Sequence, residues 1–109
     1  MRREVAVINL KGRVAIVTGA GGGLGRSHAL LLAQRGARVI VNDLGSGADA
    51  VAHEIVAAGG QAHAALGSVT DAKRMQEIAD ESFKRWGRID ILVNNAGILR
   101  DKTFAKMSL

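Results

Sequence analysis

Apolar runs of strand length alternate with segments of helical period along nearly the whole chain. Short apolar runs predict strands at residues 14–17, 38–43, 61–66 and 89–93. Between them, apolar residues recur at three- and four-residue spacing and predict helices at about residues 24–34, 48–58 and 71–86. Continuous apolar strands that alternate with helices are typical of βαβ units in a parallel sheet covered on both faces.

The predicted helices have recognisable ends. Glycines stop them, with Gly36 in the C-cap position of the first, Gly59-Gly60 after the second and Gly87 after the third. Thr70 and Asp71 have the residue types of an N-cap and first turn. The expected apolar stripes are Leu24, His28, Leu31 and Leu32 in the first helix, Ala48, Val51, Ala52, Ile55 and Val56 in the second, and Met75, Ile78, Ala79, Phe83 and Trp86 in the third.

These elements predict one partial domain over residues 1–109, of the α/β class with a doubly wound parallel sheet (Rossmann-like). Right-handed crossovers give the strand order 3-2-1-4, which is half of the full sheet. The fourth strand then has an apolar edge without a neighbour, so we expect the isolated chain to associate or aggregate.

Composition narrows the class of protein. Apolar residues make up 48% and charged residues 23% of the chain, as in ordinary globular proteins. Cysteine is absent, which excludes disulfides and thiolate metal sites and fits a cytoplasmic protein. The 15 Lys and Arg are spread along the chain despite a net charge of +5, so no basic stripe predicts nucleic-acid binding. No apolar stretch reaches the ~18 residues of a membrane helix.

A glycine cluster, Thr18-Gly19-Ala20-Gly21-Gly22-Gly23-Leu24-Gly25, lies where the first strand turns into the first helix. Glycines there let the backbone approach a pyrophosphate, and the helix N-terminus favours an anion. The common dinucleotide fingerprint fails on spacing, and the P-loop fails because its first glycine and its lysine are missing. Thr-Gly-x-x-x-Gly-x-Gly fits, with its glycines at 19, 23 and 25.

Asp43 ends the second predicted strand, close to the ~20-residue spacing from Gly19 at which an acidic side chain meets the adenosine ribose. A carboxylate there accepts hydrogen bonds from the ribose hydroxyls and repels a 2′-phosphate. We therefore predict NAD as the cofactor, with NADP less favoured. Arg26 and Arg38 would weaken this preference if either side chain reached the ribose.

The glycine loop resembles that of the short-chain dehydrogenase/reductase family, and the resemblance extends over about residues 10–109. It implies that the cofactor lies on Gly19, Gly23, Leu24 and Gly25, that Ser68 and Val69 clasp the adenine, and that the backbone of Asn95, Ala96 and Gly97 follows the ribose. Asn94 would pin the neighbouring backbone. Many relatives carry Asp-Val where this chain has Ser68-Val69.

Two stretches, residues 98–104 and 41–45, are similar to the (3R)-hydroxyacyl-CoA dehydrogenase branch found in multifunctional β-oxidation enzymes. The resemblance implies an oxidoreductase that interconverts a secondary alcohol and a ketone, on an acyl-CoA or another small molecule. It also implies a homo-oligomer when the protein is complete.

Family members transfer the substrate proton with a tyrosine, a lysine four residues later and a serine. This chain has no tyrosine, and Lys106 and Ser108 come too early to match that motif. His28, His53 and His63 are isolated in predicted helices and a strand, so we assign them neither catalysis nor metal binding. Two hypotheses remain: the front part of a longer dehydrogenase, inactive alone, or a stand-alone nucleotide-binding module without catalysis.

Overall fold

The computed structural model describes residues 9–95, in which strands and helices alternate. The elements are β1 (Val14–Thr18), α1 (Gly23–Gln34), β2 (Arg38–Asp43), α2 (Gly47–Ala57), β3 (Gln61–Leu66), α3 (Ala72–Trp86) and β4 (Ile91–Asn94). The strands form one sheet in the order β3-β2-β1-β4, and every neighbouring pair is parallel. The predicted order and the Rossmann-like α/β fold are both confirmed.

Helices cover both faces of this sheet, which is why its central strands are mainly apolar. All five residues of β1 are buried, as are the four central residues of β2. Val17, Val39 and Val41 pack with α1 and α2 on one face. Ile16 and Ile40 pack with α3 on the other. Alternate residues of a strand point to opposite faces, so one valine- and isoleucine-rich run serves both layers.

The apolar stripe predicted for α1 is wrong in part. Leu24 and Leu31 are 72% and 48% exposed, and the buried residues of this helix are Gly25 and Ala29. Small residues on the sheet side let α1 lie close to β1, so Leu24 and Leu31 point outward, while Leu32 is partly buried against the core as predicted. The C-cap is Arg35, and Gly36, with φ of 103°, is the residue after it.

Three further expectations are corrected. Val56, which was predicted in the apolar stripe of α2, is 55% exposed. Phe83 of α3 is 50% exposed, and Ser82 is buried in its place, with its hydroxyl donating to the Ile78 carbonyl oxygen at 2.7 Å. β4 begins at Ile91, although Ile89 is buried against α3 as its apolar character suggested. Ile89 therefore belongs to the core, ahead of the residues that pair with β1.

The ends of α3 follow their sequence signals. Asp71 is the N-cap and accepts the Arg74 N–H at 3.0 Å, and Gly87 ends the helix in the left-handed conformation with φ of 76°. Within residues 9–95, no helix has the length and apolar character needed to cross a membrane.

Candidate functional site

The carboxyl ends of the parallel strands meet at one edge of the sheet, where ligands of open α/β folds bind. A cavity of about 370 Å³ lies at this edge, beyond β1, β2 and β3. It is lined by Gly19, Asn42, Asp43, Leu44, Gly67, Ser68, Val69 and Thr70. Four of the predicted site residues (Gly19, Asp43, Ser68 and Val69) thus line a single cavity. Gly23, Leu24 and Gly25 lie beside it, in the first turn of α1.

The glycine loop has the backbone conformation that its composition suggested. Gly19 and Gly23 have φ of 61° and 56°, a region that side chains disfavour. At Gly25, a β-carbon would lie 2.0 Å from the Gly19 carbonyl oxygen and 2.6 Å from Asn95 Nδ2. Each glycine of the predicted spacing therefore has a physical reason, two of conformation and one of close packing.

The N-terminus of α1 suits an anionic ligand. Gly22 is its N-cap and supplies no side-chain hydrogen bond, and the first turn contains no acidic residue. The first amides of a helix have no partner within the helix, and the helix dipole makes this end positive. A phosphate group has the charge and the acceptors to satisfy these amides.

Asp43 ties the end of β2 to the glycine loop. Its Oδ2 accepts the Gly21 N–H at 2.7 Å, and its Oδ1 accepts the Leu44 N–H at 2.7 Å. A carboxylate has about four acceptor positions on its two oxygens, so each oxygen can take another donor. The carboxylate is thus fixed in place and still able to accept hydrogen bonds from a diol.

Gly21 and Gly47 make the contact between the loop and α2. A β-carbon at Gly47 would lie 2.7 Å from the Gly21 carbonyl oxygen, and one at Gly21 would lie 2.6 Å from Asp43 Oδ2. Neither glycine was singled out by its place in the sequence. Both stood in glycine-rich stretches, and only the fold shows that those stretches meet.

Asn42 is another residue that sequence reasoning missed. It is buried, and its Nδ2 donates to the carbonyl oxygens of Ala65 at 2.9 Å and Gly67 at 3.2 Å. These bonds hold the end of β3 against β2. Its Oδ1 is buried without a hydrogen-bond partner in the described part of the chain. Its place directly before Asp43 was the only sequence signal.

Ser68 and Thr70 form a hydroxyl pair in the loop after β3. The Ser68 hydroxyl accepts the Thr70 N–H at 3.1 Å, and the two hydroxyl oxygens lie 2.7 Å apart, with either able to donate. The Ser68 carbonyl oxygen accepts the Asp71 N–H at 3.0 Å. Both hydroxyls belong to cavity-lining residues, while Leu44 and Val69 supply the apolar part of the lining.

Thr18 joins the first and last strands of the sheet at this edge. It is fully buried, and its hydroxyl accepts the Asn95 N–H at 3.0 Å. The same hydroxyl lies 3.3 Å from the Val93 carbonyl oxygen and from Asn94 Oδ1, and can donate to them. Asn94 Oδ1 thus lies against the Thr18 side chain, and the implied role of Asn94 in pinning neighbouring backbone stays a prediction. Ala96 and Gly97 lie outside the described residues.

Of the two arginines that bear on cofactor choice, Arg26 is held in an ion pair and Arg38 is distant from Asp43. Arg26 forms a two-pronged ion pair with Glu54 of α2, at 2.8 and 2.5 Å, and the hydrogen bond from Arg26 lowers the pKa of Glu54. Arg38 begins β2 and Asp43 ends it, so at about 3.3 Å per residue roughly 16 Å of strand separates them. Neither guanidinium lies at the carboxylate of Asp43.

Metal chemistry has no support in the part of the chain that the structure describes. Residues 9–95 contain no group of three or more His, Asp or Glu side chains placed to hold a metal ion. His28 lies in α1, His53 in α2 and His63 in β3, as the sequence predicted.

Comparison with known proteins gives a consistent result. A family model described as short chain dehydrogenase matches residues 13–109. The chain is 54% identical over 107 residues to a peroxisomal multifunctional enzyme type 2 from Drosophila melanogaster, covering 89% of this chain and 17% of that protein. It is 48% identical over 111 residues to a peroxisomal hydratase-dehydrogenase-epimerase from Saccharomyces cerevisiae, covering 93% of this chain and 12% of that protein.

A solved structure adds the fold. A 7α-hydroxysteroid dehydrogenase in complex with NADH and 7-oxo glycochenodeoxycholic acid matches with a TM-score of 0.77 and 39% identity, over 81% of this chain and 35% of that one. The resemblance to multifunctional enzymes that the sequence suggested is confirmed. The chain spans only a small part of the relatives it matches.

Proposed function

The chain belongs to the short-chain dehydrogenase family, and on that premise we propose that it holds NAD across the carboxyl ends of the four strands, β1 to β4. Family membership and a structural neighbour that carries NADH indicate a nicotinamide dinucleotide as the cofactor. When bound, its nicotinamide accepts or supplies a hydride. The residues of this chain bind and orient the dinucleotide.

The glycine loop supports the pyrophosphate part of this proposal. Its left-handed glycines and the close contact between Gly19 and Gly25 keep side chains away from the N-terminus of α1. Because that terminus has no side-chain cap or acidic residue, its amides suit a pyrophosphate. Leu24, which is exposed in the first turn, would lie against the dinucleotide.

The single observation that carries the proposal is the position of Asp43. Asp43 lines the cavity, and its carboxylate is fixed by Gly21 and Leu44 with acceptor positions left for both hydroxyls of a ribose. A 2′-phosphate would bring like charges together. Arg26, the arginine of α1, is paired with Glu54 and is not free to neutralise that phosphate. These contacts favour NAD over NADP.

We further propose that the complete enzyme interconverts a secondary alcohol and a ketone, with 3-hydroxyacyl-CoA as the favoured substrate class. The two multifunctional relatives, at 54% and 48% identity, support this class. The proton-transfer group would have to lie outside these residues, because the chain contains no tyrosine. A cytoplasmic location stays a prediction.

The absence of tyrosine also favours a second candidate function, a nucleotide-binding module without catalysis. Both candidates require the dinucleotide to bind. They differ in whether a longer product of the same gene oxidises 3-hydroxyacyl-CoA, which sequencing past Leu109 and a spectrophotometric assay of NADH production would decide.

Isothermal titration calorimetry of the 109-residue chain with NAD and NADP tests the binding proposal. We expect NAD to bind at least about tenfold more tightly than NADP, since a like-charge contact costs more than one pKa unit's worth of free energy. The variant Asp43→Asn should bring the two affinities closer. Asp49→Asn removes the same charge from an exposed residue of α2 and should leave the ratio unchanged. Absence of NAD binding by folded protein would overturn the proposal.

A further inference from the structure

The cavity beside Asp43 is lined by two neighbouring hydroxyl side chains, those of Ser68 and Thr70. A base attached to a ribose on Asp43 would enter this cavity, so the inference rests on the proposed function. Asp43 itself would be occupied by the ribose, and Asn42 is buried with its amide bonded to β3. The side-chain groups left to meet the polar edge of a base are the hydroxyls of Ser68 and Thr70.

The hydroxyl pair can present either a donor or an acceptor at Ser68. If Thr70 donates to Ser68, both acceptor positions of the Ser68 oxygen are filled, by that hydroxyl and by the Thr70 N–H, and the Ser68 proton is free to donate. If Ser68 donates to Thr70, its oxygen keeps one open acceptor position. Rotation of the two hydroxyl protons exchanges these states without moving a heavy atom.

This matters because 6-aminopurines and 6-oxopurines have opposite polarity at position 6. Adenine carries an amino group there, which donates, and hypoxanthine carries a carbonyl oxygen, which accepts. An ionised carboxylate that faces position 6 can only accept, so it would be repelled by the carbonyl oxygen. A hydroxyl pair that reverses its polarity meets either group.

We propose that the Ser68–Thr70 pair makes the base site of this protein tolerant, so that it binds 6-aminopurine and 6-oxopurine dinucleotides alike. Leu44 and Val69 contribute apolar contact with the ring, which does not depend on the substituent. Discrimination is therefore left to the ribose end, where Asp43 reads the hydroxyls. Ser68 is the residue at which an acceptor-only side chain would make the site discriminate between the two bases.

The test compares NAD with nicotinamide hypoxanthine dinucleotide by isothermal titration calorimetry on the 109-residue chain. We expect the two dissociation constants to agree within about threefold, because each purine gains one hydrogen bond from the same hydroxyl. If NAD binds and the hypoxanthine analogue binds more than about thirtyfold more weakly, the inference is overturned and the proposed function stands. Failure of both ligands to bind folded protein would overturn both.

A matched pair of variants isolates the polarity of position 68. Ser68→Asp supplies acceptors only and should favour NAD over the analogue by at least about tenfold. Ser68→Asn introduces a side chain of nearly the same size as aspartate that supplies both a donor and an acceptor. It should bind NAD and the analogue with similar affinity. Both side chains can accept the Thr70 N–H in an Asx turn, so the loop should keep its conformation. Equal selectivity in the two variants would refute the assignment to Ser68, and circular dichroism would establish that each variant is folded.

Discussion

Replacement of Gly25 by alanine tests whether the glycine loop is held by close packing. The added methyl group would lie 2.0 Å from the carbonyl oxygen of Gly19 and 2.7 Å from its carbonyl carbon. Ordinary non-bonded carbon contacts are about 3.5 Å or more, so α1 and the end of β1 would have to separate by roughly 1 Å. Both obstructing atoms belong to the backbone and cannot rotate away.

The expected cost follows from two opposing effects. Overpacking of this kind destabilises proteins by about 1–3 kcal/mol, and the rigid backbone contact favours the upper end. Alanine in place of glycine within a helix returns up to about 1 kcal/mol. We therefore expect Gly25→Ala to lower the free energy of unfolding by about 2 kcal/mol. The NAD affinity should fall at least about tenfold, because the displaced loop includes the predicted pyrophosphate site.

Gly22→Ala is the matched control, three residues earlier in the same loop. Gly22 has extended backbone with φ of −177°, and a β-carbon there would meet no atom within 4 Å. Its alanine variant should differ from the parent by only about 0.5 kcal/mol, the cost of a poorer N-cap residue. Urea unfolding followed through Trp86, the one tryptophan, measures both variants. Equal stability of the two variants would refute the packing argument.

Two further predictions concern charged side chains. Hydrogen bonds from Arg88, with further contributions from the Val14 N–H and Arg13, lower the pKa of Asp90 to about 2, and its side chain is 16% exposed. A carboxyl group whose pKa is lowered on folding stabilises the folded state when the pH is above its unfolded pKa of 3.8. This stabilisation is lost as the pH falls through about 2. Asp90→Asn should therefore lower the free energy of unfolding by about 1–2 kcal/mol at pH 7, after allowance for screening of the exposed arginines. Urea unfolding should show this difference between variant and parent shrinking between about pH 4 and pH 2. A difference that stays constant with pH would contradict the ionic role of Asp90. Glu54→Gln releases Arg26 from its ion pair and should raise the affinity for NADP about twofold to fivefold, with the affinity for NAD unchanged, as measured by calorimetry. An unchanged ratio of NAD to NADP affinity would show that Arg26 does not reach the 2′-phosphate.

The parts of the fold that sequence predicted correctly are those set by local pattern. The bounds of β2 and β3 match the prediction residue for residue, because polar residues stand at both ends of β2 and glycines flank β3. The strand order followed from the handedness of βαβ crossovers, which the helix lengths permit. Asp71 and Gly87 were recognisable because capping residues act through their immediate neighbours.

The missed features depend on which loops meet in space. Leu24 and Leu31 have helical spacing, yet glycine and alanine occupy the sheet side of α1, because closeness of packing decides which face is buried. The Thr18 hydroxyl contacts Val93 and Asn94 of β4, which are far away in sequence. Glu54 is an ordinary exposed helix residue until the fold brings Arg26 beside it.

Asp43 shows how the same contacts serve both stability and recognition. Because its oxygens already accept the Gly21 and Leu44 amides, the carboxylate is oriented before any ligand arrives. Little side-chain freedom is then lost on binding, which favours affinity. The same bonds connect the ribose end to the glycine loop, so a change at Asp43 should also disturb the pyrophosphate end. Comparison of Asp43→Asn with Gly25→Ala therefore separates the two effects, since only the Asp43 variant should alter the ratio of NAD to NADP affinity.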